Sequence, residues 1–268
     1  RSLDPITDVS RAEKTEIAQA NRGTGVLVLF FLEREEASPW FNGATYLDTL
    51  DPDAVAEFIR ITHERYRRRA GKHFGSTIPG IFTDEPHYGE ALKSSRERHL
   101  PWTARFPRVF QERYGYDPIP RLAEVVLPLE DRESLQPRYH FFDCATHLFV
   151  DAFARPIGEW CARHGIAFTG HILGEGSLTS QALDVGSCMR FYEQMQVPGM
   201  DILTEHWREI DTAKQVASVA HQFGRVWRLT ETYGCTGWDF PVEGHKAIAE
   251  WQAVLGINLR VPHLSLYS

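Results

Sequence analysis

The chain has 268 residues, 43% of them apolar and 24% charged, which is enough to bury the core of one large domain or of two small ones. An aromatic content of 12% argues against a disordered chain, and a formal net charge of −7 argues against a nucleic-acid-binding protein, which would carry an excess of basic residues. The longest apolar run, residues 26–32, is too short to cross a bilayer, so we expect neither a nucleic acid nor a membrane as a partner.

The first predicted helix begins after Asp51, an N-cap residue that is followed by proline at the first helical position. Apolar residues then recur at helical spacing until glycines end the helical region. Residues 77–83 form the next predicted strand, and the strand is followed directly by Asp84 and Glu85. This pattern predicts a helix, a glycine turn, and a short strand with carboxylates at its end.

The same order recurs along the rest of the chain. Further helices are predicted at residues 139–164, 211–223 and 243–255. Each of them ends beside a glycine and leads into a β-rich run. The corresponding strands are predicted at residues 166–169, 200–204, 225–230 and 257–261.

Helices that alternate with strands indicate βα units around a parallel sheet. The chain has no glycine-rich phosphate loop, which argues against a doubly wound nucleotide-binding fold. We therefore expect an α/β protein with a (β/α)8 TIM-barrel-like fold. Five strands are expected, with residues 26–32 as a possible sixth, so the barrel should be incomplete, with its N-terminal strands missing.

The domain organisation follows from this expectation. Residues 1–45 are predicted to be an N-terminal segment, part of an inserted or flanking element, and residues 46–268 a partial catalytic barrel. An insertion near residues 92–137 is predicted because that segment is rich in proline and charge. The chain begins without methionine and reads as a piece of a longer protein.

In a βα barrel the functional side chains lie at the carboxyl ends of the strands. The polar residues at or just beyond the predicted strand ends are Asp84, Glu85, His171, Glu175, Glu205, Glu231 and His263. Two carboxyl groups that face each other suit glycoside hydrolysis, since one can donate a proton while the other acts as a base or nucleophile. A metal-dependent hydrolase would instead predict a His-x-His pair and a rim rich in histidine.

Several of these residues have other readings. Asp84 could cap the following helix, and Glu85 could form an ordinary ion pair at the rim. Histidines at positions like those of His171 and His263 hold neighbouring groups by hydrogen bonds more often than they transfer protons. Tyr233 and Trp238 could belong to the core, or could form an aromatic platform for the face of a sugar.

Four motifs resemble those of one enzyme family. They are the runs at residues 80–86, 168–171, 231–239 and 262–268, which read GIFTDEP, FTGH, ETYGCTGWD and PHLSLYS. Together, and in this order, they resemble the catalytic barrel of glycoside hydrolase family 106 and its relatives, the α-L-rhamnosidase type. The resemblance covers the chain from about residue 46 to residue 268.

The resemblance implies a large multidomain enzyme whose barrel is flanked by β-domains of the same chain, acting on a carbohydrate substrate. It implies Glu231 as the general acid and Glu85 as the base of an inverting reaction. It also implies an active-site Ca²⁺, for which Glu175 and Glu205 are the candidate ligands. The substrate-binding candidates are Asp84, His171, Tyr233, Trp238 and His263.

Two alternatives remain open from the residues. The strand order is also similar to that of the large barrel clan of retaining β-glycosidases, which would use the same two glutamates on another sugar. A non-catalytic carbohydrate-binding barrel would use the carboxylates only to hydrogen-bond hydroxyl groups. The spacing along the sequence does not decide the stereochemistry, because that depends on a gap of a few ångström between the carboxyl groups.

Overall fold

The computed structural model of the protein describes residues 28–89, 99–127, 132–206 and 209–263. The chain forms two compact units. The first comprises Arg1–Leu47 and Ala104–Cys144, and the second comprises Asp48–Thr103 and Ala145–Ser268. No helix within the described ranges combines the length and the hydropathy that a membrane crossing requires.

The α-helices of the described residues are numbered in chain order. They are α1 (Pro52–Ile61), α2 (His63–Ala70), α3 (Phe106–Tyr114), α4 (Leu122–Val126), α5 (Arg132–Phe149), α6 (Arg155–Arg163), α7 (Leu178–Asp184), α8 (Cys188–Tyr192), α9 (Ile210–Gln222) and α10 (Val242–Val254). One π-helical turn, Val150–Ala154, joins α5 to α6. The helices predicted at residues 139–164, 211–223 and 243–255 are therefore confirmed, the first as part of α5 and all of α6.

An aromatic cluster holds the first unit together. Phe106 of α3 is fully buried, and its ring centroid lies 4.7 Å from that of Phe141. The ring of Tyr114 stacks on His140 at 4.2 Å, and its hydroxyl donates a hydrogen bond to Asp143 at 2.5 Å. This unit is thus organised by contacts between α3 and the part of α5 that belongs to it.

The strand expected at residues 26–32 does not form in the part of it that the structure describes. Residues 28–32 have no regular secondary structure, and the side chains of Phe31 and Leu32 are mostly exposed. A strand needs a neighbour to satisfy its backbone groups, and no described segment pairs with this one. The prediction is wrong for residues 28–32, and residues 26 and 27 lie outside the described residues.

The second unit contains one sheet in which neighbouring strands are all parallel. The strands are β1 (Gly80–Thr83), β2 (Ala167–Gly170), β3 (Val197–Asp201), β4 (Leu229–Thr232) and β5 (Leu259–Pro262), and they lie side by side in sequence order. Because all the strands run the same way, their carboxyl ends meet at one edge of the sheet.

The expected (β/α)8 barrel is wrong. Helices and parallel strands do alternate, as in α/β proteins, but within the described residues the sheet has five strands and does not close, since β1 and β5 are its two edges. A closed barrel requires each strand to have two neighbours. The helix–glycine–strand repeat predicts how each strand connects to the next one, and it contains no information on how many strands assemble.

The local sequence explains where α1, the first helix of the second unit, begins. Asp51 caps α1, because its carboxylate accepts a hydrogen bond of 3.0 Å from the backbone N–H of Asp53. Pro52 then occupies the first helical position, where its missing N–H costs nothing. Val55 is the fully buried contact of this helix.

The core of this unit lies between the helices and the sheet. Phe149, Phe168 and Phe191 are completely buried, and the ring of Phe191 lies 5.1 Å from that of Phe149 and 6.0 Å from that of Phe168. Because Phe168 is in β2 and Phe191 in α8, these rings join a strand to its covering helices. The sheet is therefore held from one side by apolar packing.

Gln252 of α10 ties β3 to β4 close to their carboxyl ends. It is fully buried, and its side-chain amide donates to the carbonyl of Ile202 at 3.1 Å and lies 3.3 and 3.4 Å from the hydroxyls of Thr230 and Thr232. These threonines point to α10, so Glu231, which lies between them on the strand, points to the other face of the sheet.

We predict that Gln252→Ala lowers the free energy of unfolding by about 1–3 kcal/mol, since it leaves the buried carbonyl of Ile202 without its donor. Denaturant unfolding measures the loss. The matched control is Gln222→Ala, which removes an exposed amide from α9 and should change stability by less than about 0.5 kcal/mol. Equal effects of the two substitutions would contradict the role of Gln252.

Candidate functional site

Each strand of the sheet brings a polar side chain to the same edge. Asp84 and Glu85 follow β1, His171 follows β2, Asp201 ends β3, Glu231 lies in β4, and His263 follows β5. Five of these residues were predicted from the strand ends and Asp201 was not, whereas the predicted Glu175 and Glu205 are not among them. We call Asp84, Glu85, His171, Asp201, Glu231 and His263 the strand-end cluster.

The register of the strands explains why these side chains meet. Thr83 pairs with Gly170, so the residues that follow, Asp84 and His171, are neighbours. The backbone N–H of His171 donates to the carbonyl of Thr83 at 3.2 Å. Only glycine fits at position 170: its φ is 118°, and a Cβ there would lie 2.0 Å from the carbonyl oxygen of Thr83.

His171 is the central group of the cluster. Its side chain is 1% exposed, and its Nε2 lies 2.8 Å from Oε2 of Glu231 and 3.4 Å from Oδ1 of Asp84. His263 approaches the other oxygen of Glu231 at 3.9 Å. Glu231 is thus held between two imidazoles, while Asp84 remains 79% exposed.

Glu85 has a strained backbone and a perturbed carboxyl. Its φ is 45°, in the left-handed region that glutamate rarely adopts. The residue keeps part of its surface in solvent, yet the protein around its carboxyl displaces enough water to raise the pKa of Glu85. Nearby Asp84 and Glu231 raise the pKa further by repulsion, and His171 opposes them. A carboxyl of this kind retains a proton to higher pH than an ordinary glutamate.

Asp201 is the site residue that the sequence analysis missed. It pairs in register with Glu231, so the two side chains point to the same face of the sheet. Burial raises the pKa of Asp201 to about 6, and Glu231, Glu85 and Asp84 add to this by repulsion, against the opposing effect of His171.

Asp201 was not predicted because the third strand was placed too late in the sequence. The third strand was expected at residues 200–204, but β3 is Val197–Asp201, three residues earlier. That error moved the strand end from Asp201 to Glu205. The signal that could have found Asp201 is the acidic residue next to the apolar Met200.

Glu175, predicted as a calcium ligand, is buried and already engaged. Its carboxylate accepts a hydrogen bond of 2.5 Å from the hydroxyl of Tyr192 and a second one from the backbone N–H of Asp201. Burial raises the pKa of Glu175 well above its usual range, although both hydrogen bonds act to lower it. Glu175 therefore anchors the end of β3 through the backbone N–H of Asp201.

Three other predicted residues have surroundings of their own. Glu205 contacts His206 at 3.2 Å, and the ring of Tyr233 packs 4.9 Å from that of His245. Trp238 is 96% exposed. The assignments of Tyr233 and Trp238 to substrate binding stay predictions.

Two groups of side chains in the described residues could share a metal ion. They are Asp84 with His171 and Glu231, and Glu85 with His171 and Asp201, and in each group the potential ligand atoms lie within 4.8 Å of one another. Both contain an imidazole, whereas Ca²⁺ is bound by six to eight oxygen atoms. Neither group includes Glu175 or Glu205. Calcium stays a prediction of the resemblance.

We predict that Asp201→Asn stabilises the protein in a pH-dependent way. The folded state holds the Asp201 proton up to about pH 6, and the unfolded state loses it near 3.8, so stability contributed by this group falls as pH rises between these values. At pH 7.5 Asn should therefore raise the free energy of unfolding by about 1–2 kcal/mol, and at pH 4 by much less. Thermal unfolding at both pH values tests this.

The control is Asp151→Asn, which changes an exposed aspartate paired with Arg155 at 2.9 Å. It should alter stability little at either pH. Destabilisation by Asp201→Asn at pH 7.5 would contradict the prediction.

We also predict that Tyr192→Phe destabilises the protein by about 1–3 kcal/mol, because it removes one of the two donors to the buried carboxylate of Glu175. Tyr66→Phe is the matched control, since the side chain of Tyr66 is largely exposed. Denaturant titration of both variants gives the difference. If the two substitutions have the same effect, the Tyr192 hydrogen bond does not anchor Glu175.

No protein-family model matches the sequence, and no curated protein matches it significantly. Among solved structures, a rhamnosidase from Novosphingobium sp. PP1Y is similar over 83% of this chain, with a TM-score of 0.62 and 20% sequence identity. The chain spans 21% of the length of that rhamnosidase. At this identity the similarity shows a shared fold, and membership of glycoside hydrolase family 106 stays a prediction.

Proposed function

We propose that this chain carries the active site of a glycosidase that cleaves terminal α-L-rhamnosides. The observation that carries the proposal is the meeting of Glu85, just beyond β1, and Glu231 of β4 around the buried imidazole of His171. The fold shared with a rhamnosidase supports the same substrate class. The proposal includes the flanking β-domains of the same longer chain that the family resemblance implies.

Glycoside hydrolysis needs one protonated and one ionised carboxyl group beside the scissile bond. Glu85 suits the proton donor, because burial and the neighbouring carboxylates raise its pKa. Glu231 suits the base or nucleophile, because His171 holds one of its oxygens at 2.8 Å and so orients the carboxylate. This division of roles is the reverse of the one that the family resemblance suggested.

The neighbours of the pair have supporting roles in this proposal. His171 donates its Nε2–H to Glu231, and Asp84, at 3.4 Å from the same nitrogen, helps to orient the ring. His263 lies on the other side of Glu231 at 3.9 Å. The exposed position of Asp84 also suits a hydrogen bond to a sugar hydroxyl.

We predict that Glu85→Gln and Glu231→Gln, each in the full-length protein, lower kcat for p-nitrophenyl α-L-rhamnopyranoside by about 10³-fold or more, since each removes a group that transfers a proton or attacks. Affinity for L-rhamnose, measured by calorimetry, should stay within about threefold of wild type. Glu159→Gln, at an exposed glutamate on α6, is the matched control and should retain full activity.

Two results would contradict the proposal. Wild-type protein that binds L-rhamnose and hydrolyses no glycoside would favour a non-catalytic carbohydrate-binding protein. Hydrolysis that survives both substitutions would mean that the reaction uses other carboxyl groups.

A further inference from the structure

The carboxyl group of Asp201 lies inside the strand-end cluster and has no assigned role. One of its oxygens falls within 4.8 Å of ligand atoms of both Glu85 and His171. Its register partner across the sheet is Glu231. It therefore faces the same space as the two glutamates of the proposed catalytic pair.

This carboxyl group has unused hydrogen-bonding capacity. No described residue donates a hydrogen bond to either of its oxygens, and Oδ1 is buried without any partner. Among the described residues Oδ1 counts as buried without a partner and Oδ2 does not, so Oδ2 is the oxygen that a ligand can reach. The other buried acid of this region differs: Glu175 has two donors, Tyr192 and the N–H of Asp201.

The backbone of Asp201 is fixed, although its side chain is unpaired. Glu175 accepts from its N–H, and the carbonyl of Glu175 in turn accepts from Gln181 at 2.9 Å and from Thr212 at 3.1 Å. Pairing of β3 with β4 holds the residue from the other side. A carboxylate that is firmly positioned and left without a donor is arranged to receive one from outside the protein.

The surroundings limit what that donor can be. The groups whose charges act on Asp201 are His171, Glu231, Glu85 and Asp84, so the protein itself offers it mainly further acids. A neutral hydroxyl can donate a hydrogen bond there without bringing in another negative charge, and a cation, which the same acids attract, is the competing occupant that the experiment distinguishes. Sugars carry several hydroxyl groups, and a site built to hydrogen-bond one of them discriminates strongly against a substrate that lacks it.

We propose that Asp201 is a substrate-binding residue that accepts a hydrogen bond from one ring hydroxyl of the sugar and thereby selects for that hydroxyl. This inference rests on the proposed glycosidase function and adds a specificity determinant to it. Asp201 acts on substrate recognition, while Glu85 and Glu231 carry the proton transfers.

The experiment pairs variants of the protein with variants of the substrate. Wild type, Asp201→Ala and Asp201→Asn are assayed as full-length proteins on p-nitrophenyl α-L-rhamnopyranoside and on its 2-deoxy, 3-deoxy and 4-deoxy analogues. In wild type we expect one deoxy analogue to lose about 10- to 100-fold in kcat/KM, as for a hydrogen bond to a charged group. In Asp201→Ala this penalty should fall to less than about threefold, while the penalties for the other analogues persist.

Thermal stability gives an independent readout. Asp201→Asn should be at least as stable as wild type at pH 7.5 and should discriminate less strongly for the same hydroxyl, because its amide oxygen is a weaker, neutral acceptor. A purely structural role would not weaken discrimination in a variant of undiminished stability. Asp151→Asn is the matched surface control and should leave all of the ratios unchanged.

Three results would overturn the proposal. Unchanged discrimination in Asp201→Ala, with wild-type activity intact, would exclude contact with a hydroxyl and leave the glycosidase function standing. Loss of wild-type activity with a chelator, restored by Ca²⁺ at a concentration that Asp201→Ala increases, would assign the carboxylate to a cation. If wild type hydrolyses no glycoside, the proposed function itself fails. The same comparison is then made on the binding of L-rhamnose and its deoxy derivatives. If removal of each hydroxyl lowers affinity equally in wild type and in Asp201→Ala, Asp201 is rejected as well.

Discussion

The common direction of the five strands is the constraint on which the site depends. Parallel pairing brings all the carboxyl ends to one edge, and the register sets which residues become neighbours there. The close approach of β1 and β2 at Gly170 aligns His171 with Asp84, and the pairing of Asp201 with Glu231 aligns two acids. Mutual repulsion among so many carboxyl groups opposes folding, so the cluster requires firm support from the layers around it.

That support comes from buried polar groups on both sides of the cluster. Gln252 connects β3 and β4 from α10, and Glu175 fixes the N–H of Asp201 from the loop after β2. Each of these residues is buried and would be costly if its partners were absent. Hydrogen bonds from the Gln252 amide nitrogen and to the Glu175 carboxylate therefore hold the backbone beside the cluster, which restricts the movement of side chains that carry unfavourable charge.

Local patterns in the sequence were sufficient for α1, α6, α9 and α10 and for most of the strand ends, but they did not predict α3, α4, α7 or α8. Apolar spacing and terminal glycines predicted α9 and α10 to within a residue, and the acids after β1 and in β4 were identified from the same reasoning. The third strand was misplaced because Val197–Asp201 contains proline and glycine, which normally indicate a turn rather than a strand. That one error placed the end of the strand before Glu205 instead of at Asp201, so Asp201 was not among the predicted site residues.

Local sequence patterns could not predict features that depend on residues far apart in the chain. The number of strands depends on which segments pair, and the engagement of Glu175 depends on Tyr192 and on a backbone N–H of another strand. The prediction of Glu175 and Glu205 as a pair assumed that acids after neighbouring strands have similar surroundings. Glu175 is buried inside the protein, whereas Glu205 lies beside His206.

The left-handed backbone of Glu85 has an evolutionary consequence. A glycine at this position would relieve strain of about 1–3 kcal/mol, so random mutation constantly offers a more stable protein at residue 85. Selection for folding alone would accept that exchange and remove the carboxyl group. A lineage that retains glutamate here is therefore under selection for what the carboxyl group does, and loss of that acid would be among the first changes expected in a descendant that has given up the chemistry and kept the fold.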